Sequence, residues 1–518
     1  MTQNKIDTKI LAMYDVRGIQ KFIYRTAKVK DAMGASLLVE NIIYDALRSA
    51  VGHVYPWCDK NGPLPYHENS NKQVEVLFIG GGNAYVIYDS LDRYKEVSRK
   101  MSRYVLDKTY SLQLAATWVE KTADYASDYQ KLKAEMGQVK AEMILSRPYG
   151  SLPVMKVERK TGYPLVTENE STESKNKKDY KDAKAREKAE KIFDKLVQQK
   201  GIDSTLAVVH IDGNNMGLRI LELIRGEKEY EKAVNTMRRI SWQISHSFRT
   251  VFDEMSNMFN EKSFYLKEFE GKEFRPFIRR IVTAGDDITY VCTARIALAT
   301  VQYFIENISR YTLNGETDPE SLKTYGFSAC AGIAYMGSHF PFSIAYDVAE
   351  SCCENAKNLA KRPENRDGSR VASFVDFQIC KNIKTRNLEK VRKNEYETTA
   401  GKSLLLRPYY IPANNGDGFE ALEKEPFHFQ CFRDAVQWMT NEKNIPRSFA
   451  KQLRNMYNES EISLETWNLF LKSRGWIIPE KNGQIFFNNL DKAIWYDALE
   501  MMDYYLDLNR FTDNTTCI

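Results

Sequence analysis

Eight cysteines among 518 residues include no Cys-x-x-Cys pair, which argues against both a zinc ribbon and a disulfide framework. Cys352 and Cys353 are adjacent on an expected helix and read as core thiols. The six histidines are scattered and none precedes an aspartate, so a His-Asp phosphohydrolase or nuclease motif is missing. No uninterrupted apolar run reaches the ~20 residues needed to span a bilayer, and Met1 to Asp7 lacks the apolar centre of a signal peptide. A cytoplasmic protein with no membrane partner is expected. The net charge is only +5, which permits nucleic-acid contact through local patches without requiring it.

Hydrophobic content of 43% and charged content of 28%, with 30 tyrosines and 25 phenylalanines, describe an aromatic-rich globular chain. At roughly 100–200 residues per domain the length predicts three or four domains.

Within that frame the most informative stretch is Arg279 to Val291, where Ala284-Gly285-Asp286-Asp287 interrupts two runs of β-branched and aromatic residues. The pattern predicts a hairpin whose tip presents carboxylates. Paired carboxylates on such a tip can grip a divalent cation and activate a 3′-hydroxyl against an α-phosphate; the same turn also fits a solvated hairpin. A second acid lies upstream. Thr205 to Ile211 is an apolar run ending in Asp212-Gly213-Asn214-Asn215-Met216-Gly217, followed by an amphipathic segment. This predicts a buried strand feeding a helix, with Asp212 at the strand end either as a partner of Asp286 and Asp287 or as a helix cap.

The order of elements repeats. Strand 10–16, helices from Ile19 and Gly34, a hairpin over 74–88 with Gly80-Gly81-Gly82-Asn83 at its tip, helix 91–106 and strand 111–119 make one unit. Strand 206–212, helices 216–224 and 231–258, the hairpin about Gly285, helix 294–308, strand 326–335 and helix 342–361 make the other. The fold expected is α+β: two tandem ferredoxin-like palms, residues 1–170 and 203–385, followed by an α-helical domain over 386–518. A charged segment over 171–202 is expected to be a solvated helix or a mobile linker. Only the second palm carries acids at its tip.

Several local patterns, in this order, resemble the large polymerase/cyclase subunit of type III (Csm/Cmr-type) CRISPR effector complexes. They are Asp15-Val16-Arg17-Gly18-Ile19-Gln20-Lys21-Phe22-Ile23, Gly34-Ala35-Ser36-Leu37-Leu38, Gly80 to Asn83, Asp212 to Gly217, Ala284 to Asp287, and Ser328 to Ala334 followed by Ala356-Lys357. The resemblance implies conversion of ATP, or another NTP, into cyclic oligonucleotides by the second palm, in antiviral defence. It implies Asp212, Asp286 and Asp287 as ligands of Mg2+ or Mn2+. It places Lys357 at the triphosphate, Gly213, Asn214, Asn215 and Gly285 near the nucleotide, and Gly81, Gly82 and Asn83 on the facing surface, where a second nucleotide fits. Guide or target RNA and other effector subunits are the implied partners.

Four departures accompany the resemblance, the first being that the family's frequent N-terminal His-Asp nuclease domain is not expected here. The usual Gly-Gly-Asp-Asp reads Ala284 to Asp287, Asn214 stands where a second strand-end acid is common, and the zinc-binding cysteines between the palms are missing around Lys156 to Pro164. The competing functions are a catalytically silent scaffold for RNA or for other subunits, and a diguanylate-cyclase-like enzyme using GTP.

Overall fold

A computed structural model describes residues 9–25, 29–68, 72–144, 154–180, 204–265, 273–316, 318–368, 370–380, 387–414 and 416–512. The first palm consists of β1 (Ile10–Arg17), α1 (Ile19–Tyr24), α2 (Val29–Val51), β2 (Val74–Gly80), β3 (Asn83–Tyr88), α3 (Leu91–Thr109) and β4 (Gln113–Glu120). Its antiparallel sheet runs β2-β3-β1-β4. Helices α4 (Tyr125–Glu142) and α5 (Thr172–Asp179) follow. The Asp124 carboxylate starts α4 by accepting from the Ala126 and Ser127 amides, an N-cap that satisfies donors left open by the first turn.

The second palm repeats this plan with β5 (Thr205–Gly213), α6 (Met216–Arg225), α7 (Tyr230–Asn260), β6 (Ile278–Ala284), β7 (Asp287–Thr293), α8 (Ala297–Ile308), β8 (Ala329–Gly337) and α9 (Phe342–Ala360). Its sheet runs β6-β7-β5-β8 and continues into β9 (Phe374–Cys380) and β10 (Tyr409–Tyr410). The register exposes the duplication. Gly80 pairs with Asn83 across one hairpin and Ala284 with Asp287 across the other, and each ladder carries an irregularity three residues before the tip, at Leu77 and Ile281. The residue before the first helix is left-handed in both palms, at Gly18 and Asn215.

Period-two alternation sorts the central strands into two faces. In β5, Ala207, Val209 and Ile211 join a core with α7, α8 and C-terminal helices. Along α7, Phe248, Val251, Phe252, Met255 and Phe259 recur at helical spacing and are all buried, each contributing roughly 1.5–3 kcal/mol of apolar transfer. Leu206 and Val208 face the other way, into a core made with α9 and with α1 and α2 of the first palm. The first palm reciprocates: Leu11 and Met13 of β1 pack with α4 and with Ile224, Tyr230, Val234 and Met237 of α6 and α7. Each palm thus closes one sheet face with its own last helix and the first helices of the other.

Two expectations about boundaries are corrected. The charged segment does not begin at 171, because α5 is packed. Its Lys177 is fully buried, donates to the Phe22 carbonyl at 2.5 Å and to Glu173 Oε1 at 2.6 Å, and lies 4.2 Å from the Phe22 ring centroid. The part of the segment at 181–203 lies outside the described residues. The C-terminal part is mostly helical, with helices at Phe429–Thr440, Arg447–Glu459, Glu461–Ser473 and Tyr496–Met501, yet it is not separate. Tyr409–Tyr410 extends the second sheet, and one core runs from β5 to Phe511. Among the described residues no helix is long and apolar enough to cross a membrane.

Candidate active site between the palms

Asp212 closes β5 on the face covered by α9, and Asp287 opens β7 directly opposite it in the ladder. The cap of α6 is Asn215, so Asp212 is not a helix cap. Its carboxylate instead pairs closely with Lys357 of α9, whose ammonium also donates to the Gly213 carbonyl at 3.3 Å. The Lys357 side chain is only 20% exposed, so it is not a solvated helix lysine. The first palm holds the equivalent pair: Asp15 at the same strand end meets Lys140 of α4 at 2.5 Å, and Arg17 donates to the Lys140 carbonyl. The lysine–aspartate pair is therefore common to both palms. What distinguishes the second is its hairpin.

That difference has a conformational basis. Gly81 and Gly82 both have positive φ, 59° and 80°, whereas in the second turn only Gly285 does, at 69°. The first pattern needs glycine twice; the second needs it once, leaving the next place free for Asp286. An added Cβ at Gly82 would also stand 2.7 Å from Ile19 Cδ1. The backbone of the second turn folds over Gly213, whose amide donates to the Asp286 carbonyl at 3.2 Å. A Cβ on Gly213 would lie 2.9 Å from Asp286 Cβ and Oδ2, so glycine there admits the acid.

Burial and the neighbouring Asp212 charge push Asp286 up to about 7 and Asp287 up to about 8. The Asp287 side chain remains 32% exposed, while its Oδ1 is buried without a hydrogen bond. Nearby, His210 Nδ1 is 3.3 Å from that oxygen and 3.0 Å from Thr289 Oγ1. Burial lowers the His210 pKa, which favours the neutral ring.

The donors fit Mg2+ or Mn2+: carboxylate oxygens throughout, in mutual repulsion that a cation would relieve. They do not form a ready cage, since among the described residues no three acidic, histidine or cysteine side chains are grouped to hold a metal ion. Lys357 already answers Asp212. Cation uptake must expel protons from Asp286 and Asp287, so Mn2+ affinity is expected to rise from pH 6 to pH 8.5. Calorimetry in buffers of different ionisation enthalpy would count the released protons; a pH-independent affinity would contradict this site.

The two tips meet. Gly81, with an added Cβ, would lie 4.0 Å from the Ala284 carbonyl carbon, and Gly80, Gly81, Gly82, Ala284 and Gly285 line one cavity of about 490 Å³. Trp57 and Trp242 also line it, with Trp242 stacked on His246 at 4.4 Å and 10°. Asn83 carries a buried Oδ1 without a partner. Asn214 does not share the cleft's chemistry: its amide is buried and donates to Ser328 Oγ and the Ala372 carbonyl, fastening β5 to neighbouring segments. Sequence reasoning passed over His210, Thr289 and Trp242. The signal for His210 was present, as the one polar side chain within the apolar run Leu206 to Ile211.

Two reciprocally packed palms, one bearing an Asp-Asp hairpin, define a tandem palm-domain protein. Residues 205–368 match the family described as Cas10/Cmr2, second palm domain. No curated protein matches the chain. Among solved structures, a chain of the Csm1–Csm4 cassette in complex with cA4 is 14% identical, with a TM-score of 0.54, covering 96% of this chain and 70% of that one. The cassette in complex with pppApA gives the same values. The Csm1–Csm4 subcomplex of the type III-A CRISPR-Csm interference complex is 14% identical over 97% of this chain and 71% of that one, with a TM-score of 0.52. At such identity the likeness is one of fold.

Proposed function

We propose that this chain is a metal-dependent nucleotidyltransferase that links ATP, or another NTP, into a cyclic oligonucleotide, working with RNA and other subunits in a type III effector assembly. The observation that carries the reading is the facing of Asp212 and Asp287 beside Lys357, at the foot of a hairpin whose tip meets the glycine hairpin of the other palm. The complexes with cA4 and pppApA, formed by proteins of the same fold, support the choice of ATP.

Bound Mg2+ or Mn2+, held by Asp212, Asp286 and Asp287, would supply charge at the reacting phosphate and lower the pKa of the 3′-hydroxyl. The chain's own residues do the rest. Lys357 exchanges Asp212 for the incoming triphosphate, which frees a carboxylate at the moment the phosphates arrive. Trp242 and Trp57 offer ring faces to a base, and the glycine hairpins let backbone approach the nucleotide closely. The 3′-oxygen then bonds to the α-phosphorus of the second nucleotide as the bond to pyrophosphate breaks. Lys357→Met is expected to weaken NTP binding roughly 10–100-fold, the loss of one charge-assisted contact, measured by calorimetry with a non-hydrolysable analogue. Unchanged affinity would remove Lys357 from the triphosphate.

A catalytically silent scaffold is the second reading, favoured by the closed Asp212–Lys357 pair and the lack of a ready cage among the described residues. Mass spectrometry of products after incubation with each NTP and Mg2+ or Mn2+, with and without RNA, decides between them. New phosphodiesters from ATP support the cyclase, products from GTP alone redirect it to the other base, and no product under any condition favours the scaffold.

A further inference from the structure

β5 is apolar from Leu206 to Ile211 except for His210, which is 5% exposed and cannot reach bulk water. A buried imidazole is costly unless it is hydrogen-bonded, and here its close polar contacts are Thr289 and Asp287, with Glu350, Asp212 and Lys357 acting on it as charges. Its Nδ1 lies between Thr289 Oγ1 and Asp287 Oδ1, at 3.0 and 3.3 Å. Its ring meets the Tyr346 ring edge-on, with centroids 5.7 Å apart. Tyr346 stacks on Tyr24 of the first palm at 3.7 Å and 20°, and the Tyr24 hydroxyl bonds Thr289. α9 can press this close because the strand residue beside His210 is Gly332, where a Cβ would fall 1.9 Å from the Ala349 carbonyl oxygen.

The first palm provides an internal control. Its strand-end Asp15 corresponds to Asp212 and its Asn83 to Asp287, so the place of His210 is taken by Met13 and that of Thr289 by Tyr85, again directly paired. The polar pair is found in the palm that has hairpin acids; where the acids are absent, the same register holds a thioether and an aromatic ring. Packing alone does not account for this difference, since both positions are equally enclosed.

We propose that His210 is a positioning residue for the Asp287 carboxylate, with its ring fixed by Thr289 and, through Tyr346 and Tyr24, by the first palm. Held at Oδ1, Asp287 keeps its other oxygen for the cation, and the first palm takes part in shaping the cation site of the second. The inference rests on the metal-binding reading of Asp287.

The test is Mn2+ binding to the full chain with a non-hydrolysable ATP analogue, followed by electron paramagnetic resonance of free Mn2+, alongside thermal melting. His210→Ala is expected to weaken Mn2+ roughly 10–100-fold, the usual effect of removing an outer-shell partner. His210→Asn, whose amide can take the place of Nδ1, should restore most of the affinity. Thr289→Val, nearly isosteric, should lose severalfold, and it decides the matter if His210→Ala fails to fold. Wild-type binding that exceeds D286N/D287N but is matched within twofold by His210→Ala and Thr289→Val overturns the positioning role alone. Equal binding by wild type and D286N/D287N overturns the metal reading and this inference with it.

Discussion

Replacing both tip carboxylates, Asp286→Asn with Asp287→Asn, is expected to abolish product formation while leaving the fold intact. Without carboxylates to hold a cation, the charge stabilisation of the transition state is lost, which costs several kcal/mol or on the order of a thousandfold or more in rate. The fold should survive because these side chains contribute repulsion to the metal-free protein. Their carboxyls are raised from 3.8 to about 7 and about 8, so between pH ~4 and ~8 the native state binds more protons than the unfolded chain. Metal-free wild type therefore loses stability as pH rises through that window, and the neutral amides do not. In EDTA at pH 8 the double variant should melt at or above wild type, with the two converging below pH 4. Equal turnover in the two proteins would refute the catalytic assignment. A variant that melts well below wild type at pH 8 would contradict the account of repulsion.

Arg407→Leu is expected to destabilise the chain by about 3–5 kcal/mol, because it removes a buried guanidinium from between two buried carboxylates. Arg407 is itself buried, its Nη1 lying 3.0 Å from Glu500 Oε2 and 3.3 Å from Asp497 Oδ1, with its guanidinium 4.1 Å from the Phe377 ring centroid. Asp497 Oδ2 in turn accepts the amides of Leu406 and Arg407 and the Tyr409 hydroxyl. These bonds lock the helix Tyr496–Met501 to the edge of the second sheet. The loss should be smaller at pH 5 than at pH 8, since protonated carboxyls are cheaper to bury. Chemical denaturation at both pH values measures it, and a variant as stable as wild type would show that the carboxylates have other partners.

The local elements of both palms were legible in the chain. Alternating and continuous apolar runs set β1, β5 and β8, helical spacing set α7 and α9, and glycine marked both turns, because such signals depend only on residues close in sequence. The chain placed Asp212 at a strand end and Asp286 and Asp287 at a hairpin, but that the two strands are neighbours, with Asp212 opposite Asp287, came from the sheet. The α5 helix was misread as solvated because Thr172 to Asp179 is almost wholly polar. Its Lys177 and Glu173 are buried only because Phe22, Arg25 and Ser111, all distant in the chain, receive them.

The sequence by itself determined the strands, helices and hairpins, the duplication, and which palm carries carboxylates. Tertiary structure alone decided that Asn214 turns away from the cleft, that Lys357 closes on Asp212, and that His210 stands under Asp287 within reach of the first palm. It also decided that the C-terminal helices share one core with the second sheet. Each of these is a contact between residues tens to hundreds of positions apart, and a side chain's partner, unlike its strand or helix, is fixed by packing that local pattern does not encode.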